Sequence, residues 1–178
     1  MSDAAETPAR RLSSADRDAI AALFGDRLRV DADTRAEWGR DWTRSFPVAP
    51  SAVVFPETED EVVALVGLAR EHGLGLVPSG GRTGLSGGAV APAGEVVVSF
   101  DRMHRIHPVD RAGRLLRCQA GAVTQAIQEA AADAGLFFPV DFASAGSSQI
   151  GGNVATNAGG INVIRWGMTR EQVAGLRV

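Results

Sequence analysis

Pro78-Ser79-Gly80-Gly81-Arg82-Thr83-Gly84-Leu85-Ser86-Gly87-Gly88 holds five glycines in eleven residues, and the rest of the chain can be organised around it. Without a Cβ, glycine admits positive φ and lets main-chain N–H groups approach a ligand closely. Successive N–H groups in such a turn form an anion-binding nest. Thr83 and Ser86 add hydroxyl donors, and Arg82 adds a forked cation suited to phosphate. Upstream, Ala52-Val53-Val54-Phe55 reads as a short buried strand. Thr58-Glu59-Asp60-Glu61 is a capping box, in which the Thr58 hydroxyl accepts an orphan N–H and Glu61 reaches back. Val62, Leu65, Val66 and Ala69 recur at helical spacing, and Gly73 offers a left-handed C-cap. Leu74 to Val77 is a second strand. The sequence therefore predicts a β-α-β unit with a parallel strand pair and a right-handed crossover. The glycine-rich loop leaves its second strand, where ligands of α/β units sit.

Downstream, Val96-Val97-Val98-Ser99-Phe100 reads as a strand, followed by a hairpin that turns around Asp110 to Gly113 and returns through Leu115 to Gln119. Thr124 to Ala134 is an alanine-rich helix ended by Gly135. Phe137 and Phe138 read as core. Residues 139 to 162 show no clean strand or helix period. Within them Ile150-Gly151-Gly152-Asn153-Val154-Ala155-Thr156-Asn157-Ala158-Gly159-Gly160, preceded by Gly146, Ser147 and Ser148, forms a second glycine-rich segment. It is too polar for a core strand and lacks the charge of a solvated face. Asn153 and Asn157 can donate and accept hydrogen bonds in fixed directions. Val173 to Val178 reads as the first half of a strand. An ordinary flexible loop, or tight packing between elements, is the plain alternative for either glycine-rich segment taken singly. Two of them in one short chain point to a phosphate-bearing ligand.

At the other end, Met1-Ser2-Asp3-Ala4-Ala5-Glu6 is acidic and lacks the basic flank and apolar core of a secretory signal. Residues 1 to 11 read as a mobile leader. Ser13 caps a short helix with Asp16 at N3 and Gly25 as its stop, burying Ile20, Leu23 and Phe24. Residues 26 to 50 read as irregular, anchored by Trp38, Trp42 and Phe46. The longest apolar run, Val62 to Ala69, is far short of the ~20 residues a membrane span needs. A cytoplasmic chain is the expectation.

Composition narrows the chemistry. The 178 residues carry a net charge of −3, which argues against nucleic-acid binding driven by bulk charge. All 18 basic residues are arginine, so no P-loop lysine, Schiff-base lysine or lysine general base exists. The single cysteine, Cys118, excludes an intrachain disulfide and a four-cysteine zinc site, and it reads as a small buried hydrophobe. His104 and His107 lack the spacing of metal ligands, and no metal is expected. Gly84-Leu85-Ser86-Gly87-Gly88 matches a G-x-S-x-G nucleophile elbow in letters only; the elbow needs a strand directly before it and a helix directly after.

Several blocks fall in a fixed order: Val53-Val54-Phe55-Pro56-Glu57-Thr58, the loop Pro78 to Gly88, Cys118-Gln119-Ala120-Gly121, Phe138-Pro139-Val140-Asp141, and Ile150 to Gly160 followed by Arg165-Trp166-Gly167. Together they resemble the FAD-binding domain of the vanillyl-alcohol oxidase or p-cresol methylhydroxylase (PCMH) type, in its D-2-hydroxyacid dehydrogenase branch. The resemblance implies an α+β fold with a small β-α-β lobe and a second mixed-sheet lobe, incomplete at the C-terminus. Residues 1–46 would be an N-terminal helical leader and 47–178 the FAD-binding domain, with the substrate cap absent. It implies FAD extended between the lobes, with its pyrophosphate on Pro78 to Gly88. Pro139, Asp141 and the stretch Gly146 to Gly160 would line the rest of the cofactor. The implied reaction oxidises a D-2-hydroxy acid (D-lactate, glycolate or D-2-hydroxyglutarate) to the 2-oxo acid by hydride transfer to FAD, followed by an electron acceptor. A homodimer is one arrangement open to the full-length protein. A non-catalytic dinucleotide-binding piece that needs a partner chain is the alternative. The first loop reads Gly81-Arg82-Thr83 and carries no histidine of the kind that bonds flavin covalently in relatives, so FAD is expected to be non-covalent. Trp166 stands where many relatives have tyrosine, and no residue is assigned as the catalytic base.

Overall fold

Among the described residues, four short strands supply the sheet. In chain order the elements are helix α1 (Ser14–Phe24), strand β1 (Leu28–Arg29), α2 (Ala32–Trp38), β2 (Ala52–Val54), α3 (Glu59–His72), β3 (Leu76–Ser79), β4 (Val96–Ser99), α4 (Thr124–Asp133), α5 (Ile150–Ala155) and α6 (Val163–Trp166). The computed structural model describes residues 10–43 and 45–178. It divides into two units: residues up to 79 together with 84–99, and residues 80–83 together with 100–178. The leader expected at residues 1–11 lies, up to residue 9, outside the described residues. Arg10 is tied to the Asp16 carboxylate and to His72 O, and Leu12 is buried.

The first unit is the sheet, in the order β1-β2-β4-β3. β2 and β3 run parallel as the sequence predicts, but they are not neighbours: β4 lies between them, pairing in parallel with both. The reason is burial. Every residue of β2 and β4 is buried, so these valine runs are central strands covered on both faces. β3 contains Pro78, which cannot donate to a ladder, and it takes the edge. β1, two residues long and antiparallel to β2, closes the other edge; it is too short to leave a period in the sequence. Val53, Ala91 and Val97 form the centre, with Trp38 edge-on to Phe55 at 5.5 Å between ring centroids.

α1 starts as expected. Ser13 and Asp16 form a reciprocal capping box, and Ile20 and Phe24 are buried while Leu23 is exposed. α3 starts differently. The Thr58 hydroxyl accepts the Glu61 N–H, but the Glu61 carboxylate accepts from the Glu57 N–H instead of closing the box on Thr58. Arg27 decides this, because its fork grips both Glu61 oxygens at 2.7 Å. Leu65 and Ala69 are the buried stripe of α3; Val66, expected on that stripe, is exposed. Trp42 and Phe46, expected as anchors, are also exposed, and Trp38 alone of the three packs on the core cluster. α2 was missed, although Asp31 at its N-cap accepts from the Thr34 N–H.

The Arg27 fork holds the Glu61 carboxyl down, from 4.5 to about 2. A lowered folded pKa adds stability above the ordinary value and loses it as pH falls. Denaturant unfolding should therefore separate the chain from its Glu61→Gln variant by about 1–3 kcal/mol at neutral pH. The gap should narrow from pH 4.5 and close near pH 2. A gap independent of pH would mean that the ion pair is not its source.

The second unit opens with the hairpin. Asp110 and Leu115 exchange both main-chain hydrogen bonds, and Ile106 faces Cys118. From Ile106 to Asp110 is four steps, but from Leu115 to Cys118 only three. The first arm therefore holds one residue more, as in a β-bulge, around Pro108, which has no N–H to offer. The pairing thus appears as isolated bridges, not as a long ladder. Cys118 is half-buried in it, and burial pushes its thiol pKa up. α4 ends at the left-handed Gly135 as expected. Phe137, expected in the core, is 64% exposed and instead meets the Trp166 ring at 5.8 Å. Val173 to Val178, expected as the first half of a strand, forms no strand.

Candidate functional site

In the second unit the two glycine-rich segments meet. A Cβ on Gly81 would strike the Ser147 carbonyl oxygen and lie 2.8 Å from Ser148 Cα, so this joint admits only glycine. A Cβ on Gly80 would stand 3.3 Å from Gln149 Oε1. The left-handed residue of the turn is Arg82, with φ 57°, and neither Gly80 nor Gly81. Glycine is needed here for close approach, not for its φ. Arg82 Nη1 donates to Gly80 O at 3.0 Å and lies 3.7 Å from Asp101 Oδ2.

The second segment is partly helical. α5 spans Ile150–Ala155 despite two glycines, because its first N–H groups have partners: Ile150 N donates to Ala122 O and Gly151 N to Ala120 O. Gly151 is pressed on Ala120, where a Cβ would meet the Ala120 methyl at 2.8 Å. Ser148, Thr124 and Asn153 form a buried knot, with Thr124 Oγ1 2.7 Å from Ser148 Oγ and accepting from Asn153 Nδ2 at 2.6 Å. These side chains are satisfied inside the protein. Asn157 takes φ 48° and uses its Oδ1 to accept the Arg170 N–H. Gly160 packs on the Asp141 backbone, Ile161 N donates to Asp141 O, and Gln128 Nε2 bonds Val140 O and Asp141 Oδ1. Asn162 Nδ2 reaches Pro139 O. Pro139 and Asp141 are thereby joined to the glycine-rich segment, while Gly146, Ser147 and Ala155 are exposed.

The remaining loop residues belong to the first unit. Ser79 is fully buried, with its hydroxyl on Trp38 O, and Pro78 is exposed. Gly84 O accepts the Trp42 N–H. Gly87, at φ 81°, donates its N–H to Asp41 Oδ2 at 2.7 Å. Burial pushes the Asp41 carboxyl up, but hydrogen bonds from Thr43 and Gly87 outweigh that and hold it below its ordinary value. Ser86 lies exposed in a bend that no helix follows, which removes the nucleophile-elbow reading. Asp41, Asp101 and Gln149 went unnoticed in the sequence. The Asp41-x-Thr43 spacing of an Asx turn was there to be found; the other two carry no local signature.

Whether a dinucleotide suits these residues can be judged from the glycines. Gly84, Gly88 and Gly152 have no heavy atom within 4 Å of a Cβ position, and none has a positive φ. Nothing in the chain requires glycine at them, and in a helix interior glycine costs about 1 kcal/mol against alanine. In the second unit, the open space beside Gly152 in α5, three residues after Gln149, leaves room for a ligand against the backbone, which fits a dinucleotide held through main chain.

These features define an α+β domain of the PCMH type. Alkyldihydroxyacetonephosphate synthase shares the fold at TM-score 0.82 and 21% identity, over 94% of this chain and 35% of that one. The 6-hydroxy-D-nicotine oxidase of Arthrobacter nicotinovorans does so at 0.69 and 21%, over 81% and 31%. The chain belongs to the FAD binding domain family, which matches residues 50–178, and FAD is the cofactor this indicates. It is 57% identical over 152 residues to the D-2-hydroxyglutarate dehydrogenase of Stutzerimonas stutzeri, covering 85% of this chain and 33% of that protein. It is 32% identical over 171 residues to the mitochondrial D-2-hydroxyglutarate dehydrogenase of Danio rerio, covering 96% and 32%. The chain thus spans about a third of the length of the curated relatives it matches. Among the described residues, no helix is long and apolar enough to cross a membrane.

Proposed function

We propose that this chain is the FAD-binding part of a dehydrogenase that oxidises D-2-hydroxyglutarate to the 2-oxo acid. The observation that carries the cofactor reading is the joint of Gly80-Gly81 with Ser147-Ser148-Gln149, followed three residues on by the open backbone face of Gly152. Pyrophosphate accepts hydrogen bonds only, so it suits a turn that presents main-chain N–H groups in place of carbonyls. Residues 47–178 form the cofactor domain in this reading, and residues 1–46 extend the first unit. Bound FAD supplies an acceptor for the hydride of the substrate α-carbon. The chain's own residues bind and orient it: the loop Pro78 to Gly88 takes the diphosphate, and Pro139, Asp141 and Gly146 to Gly160 line the remainder. The choice of D-2-hydroxyglutarate over D-lactate or glycolate is supported by the names of the relatives at 57% and 50% identity.

Two measurements test this. Flavin absorbance should co-purify with the chain, and acid precipitation should release the colour into the supernatant; colour kept in the pellet would show a covalent bond. Bleaching by D-2-hydroxyglutarate in preference to D-lactate supports the substrate. Flavin bound with no bleaching by any 2-hydroxy acid favours the non-catalytic dinucleotide-binding piece.

A further inference from the structure

We propose that Asp101 is a positioning residue for the nucleotide-binding turn: it anchors Arg82 and Gln149 together, and Arg82 locks the turn instead of binding phosphate. The inference rests on the FAD reading above and assigns roles inside that site.

Arg82 occupies a left-handed conformation that disfavours any residue with a side chain, so something must hold it there. Its own Nη1 does so from one side, donating to Gly80 O two residues back and closing a ring across the turn. Asp101 Oδ2 stands 3.7 Å from the same nitrogen. The other Asp101 oxygen accepts from Gln149 Nε2 at 2.7 Å. Gln149 is 7% exposed and is the residue that opens α5. One carboxylate therefore engages both glycine-rich segments, directly beside the place where Gly81 is pressed on Ser147 and Ser148. The carboxylate also sets the orientation of the Gln149 amide, leaving Oε1 buried and unpaired on the Gly80 side. The Arg82 head is turned inward, with its side chain 21% exposed.

The two roles for Arg82 predict opposite signs. If Arg82 bound phosphate, Asp101 would compete for its charge, and neutralising Asp101 would tighten FAD. If Arg82 is a lock, neutralising Asp101 loosens the turn. The experiment titrates FAD and ADP into the full chain and its Asp101→Asn and Arg82→Gln variants, from low to physiological salt. Flavin fluorescence reports FAD and calorimetry reports ADP. Asp101→Asn keeps an acceptor for Gln149 and nearly the same shape, so it should fold. The expected result is a loss of about tenfold in affinity for both ligands in each variant. The salt dependence should match that of the unaltered chain, since no charge on phosphate has been removed. Tighter or unchanged binding by Asp101→Asn, or a flattened salt dependence in Arg82→Gln, would overturn the lock. Failure of the unaltered chain to bind FAD would instead overturn the cofactor reading, and the lock with it.

Discussion

Gly81→Ala should destabilise the second unit by about 2–3 kcal/mol, an effect at the upper end of overpacking. The added methyl has no flexible side chain to displace. It meets the Ser147 carbonyl oxygen and the Ser148 Cα, both main chain, so one segment must leave the other. FAD affinity should fall with stability, because separation of the segments breaks the proposed diphosphate turn. Gly84→Ala is the matched control. It sits in the same loop, with no heavy atom within 4 Å of the new Cβ and no positive φ, and it should change stability by less than about 0.5 kcal/mol. Urea titration of both variants checks the pair. A Gly81→Ala chain that unfolds like its parent would show that the two segments are not in contact.

The second large effect is one in which stability and binding part company. Gly152→Ala places a methyl into open space within α5. In the free chain it should be neutral or stabilising by up to about 1 kcal/mol, as expected for alanine replacing a helical glycine. FAD should nevertheless bind at least about tenfold more weakly, because the methyl occupies the face on which the ligand is proposed to lie. The unfolding midpoint without ligand and the FAD dissociation constant are enough to decide. Equal FAD affinity in the two chains would remove Gly152 from the site.

Much of this architecture was legible in the residues. The capping signals at Ser13 and Thr58 placed α1 and α3, and Gly73 and Gly135 marked the ends of α3 and α4, because caps and left-handed stops are local chemistry. The ordered glycine-rich blocks identified the family. Strand adjacency was not legible. Nothing within Ala52–Val54 or Leu76–Ser79 says that Val96–Ser99 inserts between them, since pairing depends on partners far along the chain. Exposed aromatics such as Trp42, Phe46 and Phe137 defeat hydrophobicity as a guide to the core. α5 was hidden because Gly151 and Gly152 suppress the propensity that normally announces a helix. The function of Asp101 was hidden for a different reason: it acts on residues 19 positions before and 48 after it, and such a link exists only once the chain has folded.

The insertion of β4 also dictates an order of assembly. A nascent chain that has emerged only as far as Ser79 contains two of the three parallel strands and cannot zip them to each other. Their shared neighbour, Val96–Ser99, has yet to be made. The sheet must therefore wait, unclosed, while the whole glycine-rich loop is synthesised, and the segment proposed to grip the diphosphate is threaded into place by the same event that completes the ladder.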